Sequence, residues 1–169
     1  MIIREETPQD YKAVYQLIKD AFETADFADG NEQEIVENLR QSEAFIPQLS
    51  LVAEVDGKQV GHILFTKGHV GKEEVLVLAP LAILPTYQRQ GIGGRLITES
   101  HRIAKELGYP YSIVLGSEAY YPKYGYLPAV DYGVNLLEGI PSMNFMACQL
   151  TKEAPKLSGD MLYAKEFGL

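Results

Sequence analysis

Residues Val75 to Leu84 form an apolar run without a single charge. A run of that length reads as a strand covered on both faces, so the rest of the chain has to supply two covering layers. Close behind it comes Gln88-Arg89-Gln90-Gly91-Ile92-Gly93-Gly94-Arg95. Beyond that, Leu96, Ile97, Ile103, Ala104 and Leu107 recur at the spacing of one apolar helix face. A glycine-rich turn between a buried strand and a helix is a device for holding anions. Glycines let the backbone approach closely, and the free N–H groups of the first helical turn point at the ligand. The helix dipole adds about half a positive charge at that end. The expectation is a phosphate-bearing ligand at residues 88–95.

The spacing narrows the ligand. The dinucleotide fingerprint G-x-G-x-x-G fails because Leu96 stands where its third glycine belongs, and the P-loop pattern fails at the same residue. The spacing that fits is Q-x-x-G-x-G, filled by Gln88, Gly91 and Gly93. It resembles the pyrophosphate-binding motif of the GNAT superfamily of acyl-CoA-dependent N-acyltransferases. That resemblance implies coenzyme contacts from Gln88, Arg89, Gln90, Gly91, Ile92, Gly93 and Gly94.

Pro80 interrupts the apolar run, and proline cannot donate to a strand ladder. It marks a bulge or a strand that parts from its neighbour. Parting leaves the N–H and C=O groups of Leu81, Ala82 and Ile83 free to pair with an extended amide-bearing ligand, as in strand addition. Pantetheine, with two amides, is such a ligand, and GNAT folds resemble this arrangement of splayed strands.

A second motif follows the strand Tyr111–Leu115. In Tyr120-Tyr121-Pro122-Lys123-Tyr124-Gly125-Tyr126, Tyr121 precedes Gly125 by four and an aromatic comes next. This Y-x-x-x-G pattern is similar to the family's second signature, whose tyrosine lies near the coenzyme sulfur. A phenol of pKa about 10 stays protonated at neutral pH and can donate to a leaving thiolate whose conjugate acid is near 8.5. Tyr121 is the expected general acid, with Tyr120 its rival; Tyr120 and Tyr124 are otherwise expected to pack. Residues 75–84 contain no acidic base. Glu23, Glu118 and His62 are base candidates by residue type alone, and each reads better as a surface or structural residue.

The remaining sequence fits a mixed α/β sheet. Thr7-Pro8-Gln9-Asp10 opens a helix running to about Phe22, Glu23 to Gly30 is an acidic, aromatic loop, and Asn31 with Glu34 is a capping box for a second helix. Strands 50–55 and 59–65 meet at Asp56-Gly57, a hairpin signal. The apolar strand, a crossover helix closed by Gly108, and Tyr111–Leu115 follow. The expected fold is a single α/β domain over residues 1–169: a central, mostly antiparallel mixed sheet flanked by helices and splayed at the coenzyme site.

Composition excludes several functions. A formal charge of −8 opposes nonspecific binding to nucleic acid or anionic membranes. No stretch is long and apolar enough to span a membrane, the first residues are unlike a signal peptide, and the lone Cys148 favours a reducing compartment, so the expected location is cytoplasmic. His62, His69 and His101 lack metal-ligand spacing, and no metal is expected. The functional expectation is an N-acetyltransferase carrying an acetyl group from acetyl-CoA to an amine-bearing acceptor by direct attack, with residues 133–169 either closing the active site or building a homodimer surface. The alternative is a noncatalytic acyl-CoA-binding module on the same fold.

Overall fold

The computed structural model describes residues 1–25 and 28–169; Asp26 and Phe27, within the expected acidic loop, lie outside them. The chain runs β1 (Ile2–Glu5), α1 (Tyr11–Phe22), α2 (Glu32–Arg40), β2 (Phe45–Val55), β3 (Lys58–Val70), β4 (Glu73–Ile83), α3 (Ile92–Glu106), β5 (Tyr111–Leu115), β6 (Leu127–Pro128), β7 (Phe145–Gln149) and β8 (Met161–Leu162). These strands form one sheet in the order β1-β2-β3-β4-β5-β7-β6, with β8 added alongside β3. Among the named strands of the described residues only β4 and β5 pair in parallel, as a helical crossover between them requires.

Alternation along the strands sorts side chains between the covering layers. Ile63, Phe65, Leu76 and Leu78 pack beneath α3 with Leu96 and Ile97. Val52, Leu64 and Ala82 face the other way, beneath Val14, Ile18, Val36 and Leu39 of α1 and α2. Val75, Val77, Ile113 and Phe145 are covered by Leu157 and Met161 of the C-terminal segment. The apolar run of β4 is therefore buried on both faces, by helices at one end and by the tail at the other.

Two local expectations need correction. The Asn31 capping box does not form. Glu32 Oε1 accepts the amides of Asp29 at 2.8 Å and Gly30 at 3.4 Å, while Glu34 accepts the Tyr15 hydroxyl at 2.8 Å. Strands β2 and β3 are also longer than the alternation implied. β2 begins at Phe45 and slips register between Phe45 and Ser50, where Pro47 has no N–H to offer the ladder.

Beneath α1 and α2 lies a closed polar cluster. Arg40 Nη2 pairs with Glu6 Oε2 at 2.6 Å, Ser50 Oγ donates to Glu6 Oε1 at 2.8 Å, and His62 Nε2 lies 3.2 Å from Ser50 Oγ. His62 has no solvent exposure, and burial, its largest influence, holds its pKa down to about 4. Burial under the helices gives it a structural place.

Candidate functional site

The site grows from the bulge in β4. Phe65 faces Leu78 and Ile63 faces Leu81, so Ala79 and Pro80 together stand opposite Leu64. Two residues against one is a bulge, and it bends β4 away from its far neighbour. Pairing between β4 and β5 is confined to Leu76 with Ser112 and Val77 with Ile113. Past Val77 the two parallel strands separate.

Register then decides which backbone groups face the opening. Ile83, Ala82 and Ile63's partner Leu81 pair with β3, and the Leu84 amide donates to the Val60 carbonyl at 2.9 Å. Antiparallel alternation turns the N–H and C=O of Ala82 toward β3 and those of Leu81 and Ile83 away from it. Ala82 is thus corrected: its backbone is committed to the sheet and its side chain is buried beneath α1 and α2. Gln88 Nε2 donates to the Ile83 carbonyl at 3.0 Å. That leaves both groups of Leu81 and the N–H of Ile83 turned toward the gap.

At the mouth of the gap the chain makes a tight turn into α3. Arg89 has φ +60 and Gly91 has φ +83, both left-handed. A non-glycine residue held there costs about 1–2 kcal/mol and points to a function for the loop. The first bond within α3 runs from the Arg95 amide to the Gly91 carbonyl at 3.2 Å. The N–H groups of Ile92, Gly93 and Gly94 therefore precede the helical ladder and stay available to an anion. Gln90 Nε2 donates to the Thr86 carbonyl at 3.1 Å, so Gln88 and Gln90 both brace the loop through their side chains.

A cavity of about 520 Å³ joins these parts. Leu81, Ile83, Gln88, Arg89, Gly91, Ile92, Gly93 and Gly94 line it, whereas Ala82 and Gln90 do not. Tyr87, Tyr120, Lys123 and Tyr124 complete the wall. From the sequence, Tyr120 is a packing residue or the rival to Tyr121 as acid, Tyr124 a packing residue, and Lys123 has no assigned role. Their signal was adjacency to Tyr121 in a short 3-10 turn, Tyr121–Tyr124.

Tyr121 stands beside that cavity rather than in its lining. Its ring rests on Gly116, where a Cβ would collide with it, and meets Tyr120 edge-on at 5.1 Å and Tyr126 at 5.7 Å. Burial pushes its pKa up to about 12. The residue as a whole is half-buried. Behind it, the Tyr126 hydroxyl is tied to Ser112 Oγ at 2.7 Å and His101 Nε2 at 3.0 Å. His101 faces the sheet, and burial holds its pKa down to about 4.

Of the other base candidates, Glu118 lies on the surface and accepts the Asn144 side-chain amide at 2.6 Å. Glu23 sits exposed at the end of α1. Burial raises the Cys148 thiol to about 11, the state of an inert side chain. Among the described residues no helix is long and apolar enough to cross a membrane.

Comparison with known proteins identifies the family and the fold. Residues 11–126 match the acetyltransferase (GNAT) family. The chain is 39% identical over 145 residues to the uncharacterized N-acetyltransferase YjhQ of Escherichia coli K12, covering 81% of this chain and 80% of that protein. A GNAT family acetyltransferase from Brucella melitensis, crystallised with acetyl-CoA, superposes with a TM-score of 0.82 at 32% identity, covering 98% of this chain and 97% of that one. The Escherichia coli N-acetyltransferase YhbS, crystallised with CoA, gives a TM-score of 0.88 at 27% identity over 99% and 92% of the two chains.

Proposed function

The chain belongs to the acetyltransferase (GNAT) family, and from that membership we propose that it transfers the acetyl group of acetyl-CoA to a primary amine by direct attack in a ternary complex. The observation that carries the reading is the meeting of two backbone features in one cavity. The outward-turned amides of Leu81 and Ile83 suit pantetheine, and the free N–H groups of Ile92, Gly93 and Gly94 suit a diphosphate. The binding of acetyl-CoA and CoA by the two related structures supports the same ligand here.

The reaction joins the amine nitrogen to the thioester carbonyl carbon and breaks the carbon–sulfur bond. One amine proton has to leave the nitrogen, and the sulfur has to end as a thiol. Magnitude decides how Tyr121 takes part. A phenol at about 12 lies roughly 3.5 units above a thiol near 8.5, so outright transfer to the free thiolate costs about 5 kcal/mol. Tyr121 therefore acts by donating a hydrogen bond as charge gathers on sulfur, and the net proton comes from the attacking nitrogen. This refines the general-acid role while keeping the residue.

The test is thiol release from acetyl-CoA against a panel of primary amines, with the acetylated product identified by mass spectrometry. Amine-dependent release supports the reading. Tight CoA binding with no release for any amine favours the noncatalytic acyl-CoA module, a reading that the absence of an acid in residues 75–84 keeps in play.

A further inference from the structure

Gly93 and Gly94 occupy the second and third positions of α3, and both are buried. Two tyrosines cover them. A Cβ on Gly93 would stand 2.5 Å from the Tyr120 hydroxyl, while its next neighbours, Leu81 Cδ2 and Tyr120 Cζ, would lie at an ordinary 3.6 and 3.7 Å. A Cβ on Gly94 would overlap the Tyr124 hydroxyl. Gly91 is different: a Cβ there meets nothing within 4 Å, and its need for glycine is its φ of +83. The bare positions at 93 and 94 therefore receive phenols from the neighbouring turn.

Those phenols bracket Tyr121. Tyr120 precedes it and meets its ring edge-on at 87°, and the Tyr120 and Tyr124 rings lie 5.3 Å apart. Gly116 in turn seats the Tyr121 ring. β4 gives this turn no ladder, because β4 and β5 have already separated; its flanks, β5 and β6, are held by β7 instead.

We propose that Tyr120 and Tyr124 are positioning residues: seated on Gly93 and Gly94, they fasten the Tyr121–Tyr124 turn to the first turn of α3, so that the diphosphate loop also sets the Tyr121 hydroxyl. The proposal rests on the role given to Tyr121 above. A methyl at position 93 must push the Tyr120 hydroxyl by about 1 Å to reach ordinary contact, and a misplacement of that size near reacting groups costs up to about a hundredfold in rate.

The experiment compares Gly93→Ala, Tyr120→Phe and the double variant, using acetyl-CoA and the amine with the fastest thiol release. Expected for Gly93→Ala is a kcat reduced about tenfold to a hundredfold, with KM for acetyl-CoA and calorimetric Kd for CoA within about threefold. Adding Tyr120→Phe deletes the colliding oxygen and returns kcat to the level of Tyr120→Phe alone. If Gly93 serves only close approach of the diphosphate, Gly93→Ala weakens CoA binding and Tyr120→Phe restores nothing, which overturns the proposal. Should Gly93→Ala fail to fold, recovery of the fold in the double variant upholds the contact and its absence overturns it. Tyr121→Phe separates the two ideas. Full turnover in that variant removes the hydrogen-bonding role of Tyr121, whereas rescue or its absence in the Gly93–Tyr120 pair decides the docking independently.

Discussion

The hydroxyl of Tyr126 stands between His101 Nε2, 3.0 Å away on α3, and Ser112 Oγ, 2.7 Å away on β5, so one buried phenol ties the crossover helix to the strand it serves. Tyr126 has no solvent exposure, and Tyr121 packs against its ring. Tyr126→Phe keeps the ring and deletes the link, leaving two buried polar groups unpaired. The expected loss is about 2–3 kcal/mol of stability, since an unsatisfied buried group costs about 1–3 kcal/mol. Urea unfolding measures it, and a loss below 0.5 kcal/mol would refute the tie.

Acid sensitivity follows from two histidines. His62 and His101 are both held down to about 4, chiefly by burial, against an ordinary value of 6.5. Between those values the unfolded chain binds more protons than the folded one, so stability rises with pH across that window. The contribution is complete above about 6.5 and is lost as pH falls toward 4, amounting to at most about 3 kcal/mol per histidine. Asp10, held well below the usual carboxylate range chiefly by Arg4, adds its own loss only at lower pH. Urea midpoints at pH 7.5 and 4.5 test the assignment; equal midpoints would show that neither imidazole is held neutral.

Much of this site could be read in the sequence, for reasons that differ by residue. The strand, loop and helix from Val75 to Glu106 were legible because unbroken apolarity, clustered glycine and helical periodicity are each local signals. Pro80 announced the bulge for the same reason. The committed backbone of Ala82 was not legible, because its direction depends on a register that the bulge itself shifts. Nor did spacing reveal that Tyr120 and Tyr124 sit over Gly93 and Gly94. That contact joins residues distant in sequence, and two bare glycines read equally well as room for a ligand. His62 carries no periodic mark that separates a core histidine from an exposed one, whereas His101 does, standing four residues after Ile97 and three before Ala104 on the buried face of α3.

The loop ahead of α3 makes opposite demands at Arg89 and Gly91. Arg89 holds φ +60 although it carries a Cβ, whereas Gly91 at φ +83 faces open space. Arg89→Gly relieves backbone strain and is expected to raise folding stability by up to about 1 kcal/mol, while Gly91→Ala is expected to lower it by about 1–2 kcal/mol without any steric collision. Arg89→Gly also removes a cation from the cavity wall, so its CoA affinity should fall as stability rises. Thermal unfolding paired with calorimetry reads both effects. A destabilised Arg89→Gly would show that the left-handed turn carries no strain.

The last prediction concerns the sulfur. With its pKa pushed up to about 12 by burial, Tyr121 remains a hydrogen-bond donor throughout the range where amines lose their protons. The rate should therefore rise with pH as the acceptor amine deprotonates, with no alkaline fall before about pH 10.5. Tyr121→Phe should lower kcat by about 10²–10³, the usual cost of removing one donor to developing charge, while KM for acetyl-CoA changes little. The shape of the pH profile should survive that substitution, because the titrating group belongs to the amine. A wild-type rate that declines around pH 9, with the decline abolished in Tyr121→Phe, would mean that the phenol ionises near its ordinary value. The enclosing contacts of Gly116, Tyr120 and Tyr126 would then fail to account for how it works.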